Sequence, residues 1–151
     1  GKRLEMTGSP AKSAILGFIA AALSVVLFHQ AAVFLLTAAG VISGKPWATD
    51  PYGPLGVPAI VNHMFWGGLW GALFALIWPR LPTSNFTLKG IIFAIFGVLQ
   101  VGRWILVPLI KGEPLFAGLN PTVMLGQVFI ATLFGAGIAL IYQMLTRRSA
   151  G

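Results

Sequence analysis

The sequence predicts an all-α integral membrane protein: one four-helix bundle whose N- and C-termini both lie in the cytoplasm. Three observations predict it. Apolar residues make up 57% of the 151-residue chain and charged residues only 9%, where a soluble domain carries roughly 25% charged residues. So few charges cannot cover a water-facing surface, and the solvent around most of the chain is therefore lipid. Four apolar stretches each reach the about 20 residues that a helix needs to cross a bilayer. The basic residues stand at the ends of those stretches instead of along one face.

The first stretch runs from about Ala14 to Ile42. It is too long for the apolar core of a signal peptide, and no convincing cleavage site follows it. The second runs from Pro58 to Trp78, the third from about Leu88 to Ile110, and the fourth from Pro121 to Leu145. Ser9-Pro10, Val57-Pro58 and Asn120-Pro121 each put proline at a first helical position, where its missing N–H costs nothing. Ser9 and Asn120 are also cap residues. Pro108 inside the third stretch predicts a kink or an early end. The connection from Ser43 to Val57 is rich in glycine and proline and carries Trp47 and Tyr52. It reads as an ordered, non-helical loop with its aromatics at the membrane interface. The connections from Pro79 to Thr87 and from Lys111 to Leu119 are short.

Orientation follows from lysine and arginine. Lys2, Arg3, Lys12, Arg80, Lys89, Arg147 and Arg148 fall on one side, and only Lys45 and Lys111 on the other, with Arg103 left inside the third stretch. Seven basic residues against two place the termini in the cytoplasm. The net charge of +7 is thus a topology signal. No basic face exists to follow a phosphate backbone, so nucleic acid is not an expected partner.

An internal repeat is visible. Gly71–Trp78 (GALFALIW) matches Gly135–Tyr142 (GAGIALIY), and the first and third stretches match around Gly17 and Gly90. The pattern predicts two helical hairpins in parallel orientation. Gly67 and Gly71 in the second stretch, and Gly135 and Ala139 in the fourth, form small-residue faces that let helix backbones approach closely, within one bundle or between subunits.

Polar residues inside the apolar stretches are costly and therefore informative. They are His29 and Gln30, Asn62 and His63, Gln100 and Arg103, and Gln127. At helical rise, His63 lies about 7 Å below Pro58, Arg103 about 12 Å below Lys111, and Gln127 about 9 Å below Pro121. The repeat aligns His63 with Gln127 and Gln30 with Arg103. Together the seven form a candidate ligand-binding layer in the outer half of the bilayer; the alternative is a set of interhelical hydrogen bonds with Arg103 snorkelling to the headgroups. No acid lies inside the stretches to neutralise Arg103, which leaves carbonyls, amides, water, a lipid phosphate, Glu113 or Asp50 from the outer loops, or a bound anion. Imidazoles from two helices can act as axial haem ligands, so His29 and His63 are the candidate pair for a haem b. No other cofactor or metal is expected, since no carboxylate or thiol completes a metal site. There are no cysteines, and Ser24 has no evident base, so no catalytic residue is expected.

His63-Met64-Phe65-Trp66-Gly67, Pro108-Leu109 and Gly112-Glu113-Pro114, in their four-span order, resemble the YagU-type family of bacterial inner-membrane proteins. Phe28-His29-Gln30 with Val57-Pro58 and Phe65–Gly71 is similar to other small proteobacterial membrane proteins. The resemblance implies a bacterial inner-membrane location and brings no catalytic residue with it. Three function classes follow: a non-enzymatic accessory, assembly or small-ligand-binding subunit; a small oligomeric transporter or channel; and a haem- or quinone-linked electron-transfer subunit. The expected partners are the lipid bilayer and copies of the chain or a larger membrane complex.

Overall fold

In a computed structural model of the protein, the backbone is described from Ser9 to Ala150 and the side chains to Thr146. Lys2 and Arg3, and the side chains of Arg147 and Arg148, which enter the orientation argument, lie outside the described residues. Four helices are long and apolar enough to cross a membrane. They are α1 (Pro10–Ala38), α2 (Ala59–Arg80), α3 (Phe86–Lys111) and α4 (Pro121–Ala150).

The caps account for the boundaries. The Ser9 side chain accepts from the Lys12 amide at 3.1 Å, and Asn85 and Asn120 do the same for α3 and α4. α1 starts four residues before the expected Ala14 because Ser9-Pro10 caps it there. It also stops short of Ile42: Gly40 turns left-handed at φ +78, and the Val41 amide donates back to the Leu36 carbonyl at 2.9 Å. That closure satisfies the last carbonyls of a helix, and it overrides hydropathy, which ran the stretch on to Ile42.

Two helices carry π turns that apolar patterning does not predict. Val25–His29 in α1 and Ala94–Leu106 in α3 wind with wider turns. The second stretch also changes the outcome at Pro108. The helix neither stops nor breaks there but runs on to Lys111, where Gly112 at φ +71 ends it. The wider winding just before Pro108 removes the demand for its missing i→i−4 hydrogen bond.

The loop after α1 is ordered. Pro51–Tyr52 (β1) and Val57–Pro58 (β2) pair as a short antiparallel ribbon. The carbonyls of Asp50 and Ala48 take the first free amides of α2, Ala59 and Ile60, at 2.9 and 2.8 Å. Between α3 and α4 the chain turns left-handed at Phe116, Ala117, Gly118 and Leu119.

The helices pack α2–α1–α4–α3, and each hairpin is built on a glycine crossing. A Cβ on Gly17 would strike the Gly71 carbonyl and the Ala75 Cβ, and one on Gly71 would strike the Gly17 carbonyl and the Ala21 Cβ. A Cβ on Gly90 would strike the Gly135 carbonyl and the Ala139 Cβ, and one on Gly135 the Gly90 carbonyl and the Ala94 Cβ. Gly67 faces Val25 and Phe134, so all four small residues singled out above face inward within this one bundle. Between the hairpins, α1 meets α4 through Ser24, Phe28 and Gly137. The α2–α3 seam lacks such a close backbone approach and is bridged by aromatic side chains. Trp70 lies over Gly102 and against Phe93, while Phe74 and Trp78 lie against Phe86. Lys89, buried in the first turn of α3, donates to the Trp78 carbonyl at 2.8 Å and sits over that indole ring.

Candidate functional site

The end of the bundle that carries the α1–α2 and α3–α4 connections holds the polar residues, in three groups. In the first, the π turn of α1 delivers His29 and Gln30. The Gln30 amide lies 3.0 Å from His29 Nδ1, and its carbonyl oxygen accepts from the Trp47 backbone N–H at 2.9 Å. The Trp47 indole N–H donates to the Val26 carbonyl, inside the same π turn, at 2.8 Å. Trp47 holds φ +53 to do this. Gln30 is buried as a result, and the His29 ring stands edge-on to Phe134.

In the second group, Gln127 accepts from the Trp104 indole at 2.6 Å, and Trp104 packs on Phe116 from the left-handed turn. Gln127 is thereby committed to a protein partner. Asn62 and Gln100 are half-buried and form no side-chain hydrogen bond among the described residues.

The third group is cationic. His63 is exposed near the start of α2, and the ribbon holds Tyr52 over it with ring centroids 6.1 Å apart. Lys111 donates to the Tyr52 hydroxyl at 2.7 Å and also lies over the Tyr52 ring. Arg103 projects from the π stretch of α3 and is exposed. Arg103 forms no hydrogen bond or ion pair among the described residues. Of the two outer acids proposed for it, Asp50 pairs with Lys45 at 3.4 Å, the one ion pair among the described residues.

The structure therefore sets His29 against Gln30 and Phe134, sets His63 against Tyr52, leaves Arg103 exposed, and diverts Gln30 and Gln127 to internal partners. It adds Lys111, Tyr52 and Trp47, which the sequence reading treated as a topology marker and interface anchors. Their signal was present but weak: each is a polar or aromatic residue in an outer loop. What brings them onto the site is the ribbon pairing, which hydropathy does not report.

Chemically, the third group offers cations and hydrogen-bond donors with no carboxylate among them. Such a set attracts an anion. Ser24, fully buried, donates to the Phe134 carbonyl at 2.8 Å and joins α1 to α4. A shallow groove of about 320 Å³ beside Ala14, Phe18 and Ala72 presents only apolar atoms. Comparison with protein-family models, curated proteins and solved structures returns no match.

Proposed function

We propose that this chain is a non-enzymatic, multi-pass protein of the bacterial inner membrane, an accessory, assembly or small-ligand-binding subunit that holds an anionic group at its outer face. The reading takes both termini as cytoplasmic and the two hairpins as parallel copies of one unit. The lysine and arginine distribution supports the orientation. The duplication is supported by the glycine crossings, in which Gly17, Ala21, Gly71 and Ala75 match Gly90, Ala94, Gly135 and Ala139 contact for contact. The resemblance to YagU-type proteins agrees with the location.

One observation carries the functional part. Arg103 is a permanent cation inside a largely apolar helix, exposed and without a hydrogen-bond or ion-pair partner among the described residues. A charge left unpaired at membrane depth is costly, so such residues mark ligand or ion sites. Arg103→Lys and His63→Gln test this directly. Both variants are expected to fold, because both positions are exposed, and both are expected to lose the small molecule or partner that co-purifies with the parent. Lysine keeps the charge but cannot offer the planar fork. If both variants retain everything the parent retains, these residues only pack and anchor.

A second reading takes His29 and His63, one on each of two helices, as axial ligands of a haem in an electron-transfer subunit. Its signature is a Soret band in protein purified from its native membrane, lost on His29→Ala or His63→Ala.

A further inference from the structure

We propose that the seam between α2 and α3 is a side gate, which parts from the end that carries the α1–α2 and α3–α4 connections, and that the Lys111–Tyr52 pair is the clasp that holds it shut. The packing order puts α2 and α3 at the two ends of the row, so their seam can part without separating a glycine crossing. Inside each hairpin the crossing is interlocked, since a Cβ would strike backbone. On the far side of the bundle Ser24 bonds the Phe134 carbonyl and joins α1 to α4. Across α2–α3 the contact is different: an indole ring rests on a glycine track. A Cβ on Gly97 or on Gly102 would meet ring atoms of Trp70, at 3.9 and 2.9 Å. The π winding of α3 brings these two glycines, five residues apart, under one ring.

Lysines of α3 tie the seam at both ends, and with the same chemistry. Each gives a hydrogen bond to the first hairpin and lies over one of its aromatic rings. Lys89 donates to the Trp78 carbonyl at 2.8 Å, 5.2 Å from the indole centroid; Lys111 donates to the Tyr52 hydroxyl at 2.7 Å, 5.4 Å from that ring's centroid. The two ties differ in how readily they let go. At the Lys89 end the short connection from α2 to α3 already holds the helices together, and Lys89 is 7% exposed. Its cation stands in the first turn of α3, where the helix dipole disfavours it, and reaches the last turn of α2, where the dipole favours it. Breaking that bond would strand a buried charge. At the other end no connection joins α2 to α3. Tyr52 moves with α2, because the ribbon pairs it with Val57 and the Asp50 and Ala48 carbonyls hold the first amides of that helix. Tyr52 and Lys111 are both exposed, so water can replace their bond at little cost. The seam is thus hinged at one end and clasped at the other.

The test uses the full chain in lipid nanodiscs. The chain has no cysteine, so spin labels go only where cysteine is introduced. One labelled pair, Val61→Cys with Leu106→Cys, spans the clasped end; the other, Leu76→Cys with Leu88→Cys, spans the hinged end, and all four positions are exposed. Distances are read by pulsed electron paramagnetic resonance. The parent should show a single distance for each pair. Tyr52→Phe and Lys111→Met remove the bond and keep most of the side-chain bulk, at positions exposed enough for both variants to fold. Each should add a second, longer distance to the Val61–Leu106 pair and leave the Leu76–Leu88 pair as it is in the parent. Lys111→Arg, which still donates to the hydroxyl and covers the ring, should restore the single distance. If neither Tyr52→Phe nor Lys111→Met changes the Val61–Leu106 distances, the clasp is overturned. If both pairs lengthen together, the hairpins separate bodily and the hinged gate is overturned.

Discussion

A hydroxyl in the middle of an apolar helix has few partners, and Ser24 takes the carbonyl of Phe134. Such interhelical bonds in lipid contribute modestly, about 0.6 kcal/mol on average. Ser24→Ala should therefore fold and lower the Tm slightly, with no effect on the outer site; a variant that fails to fold would mean that the α1–α4 contact depends on this bond far more than the geometry implies. At this scale the sequence was partly legible. His63 and Arg103 stood out because a polar or charged group in an apolar stretch has no cheap explanation. Trp47, Tyr52 and Lys111 did not, because an aromatic or lysine at a helix end is ordinary. Only the fold reveals that Trp47 reaches back seventeen residues to Gln30, or that Lys111 meets Tyr52 fifty-nine residues away.

The helices divide into a part that hydropathy reads and a part that it cannot. Four apolar stretches were legible, and so were the glycine faces. The π turns were not, because winding depends on where carbonyls find partners: Val26 is served by the Trp47 indole, and Pro108 has no N–H to give. The end of α1 was readable in principle from Gly40, yet apolar residues beyond it masked the stop. The crossings make a sharp contrast testable. At Gly90 a Cβ would run into the Gly135 backbone, whereas at Gly97 its nearest neighbours would be ring atoms of Phe93 at 3.8 Å, an ordinary contact. Gly90→Ala should cost about 1–3 kcal/mol or prevent folding, as overpacking does, while Gly97→Ala should stay within about 0.5 kcal/mol of the parent. Gly71→Leu should abolish the folded protein, since α1 would be pushed off α2. A folded but monomeric Gly71→Leu would instead place that face between subunits. Equal Tm values for the two alanine variants, read in detergent, would contradict the crossing geometry.

At the scale of the whole molecule, two hairpins of similar construction differ at their outer ends. The first is closed by its ribbon and by Trp47; the second leaves Arg103 exposed. That asymmetry gives an anion site physical meaning only if those ends face the outside of a membrane that all four helices cross. Composition predicts the crossing, and the basic residues predict its direction, because both are sums over many residues and tolerate local error. The most direct test is a set of reporter fusions to the full chain. Fusions after Gly44 and after Gly118 should report an outside location, and fusions after Pro82 and at the C-terminus a cytoplasmic one. A cytoplasmic signal from the Gly44 fusion would contradict the four-span arrangement and, with it, the outer site.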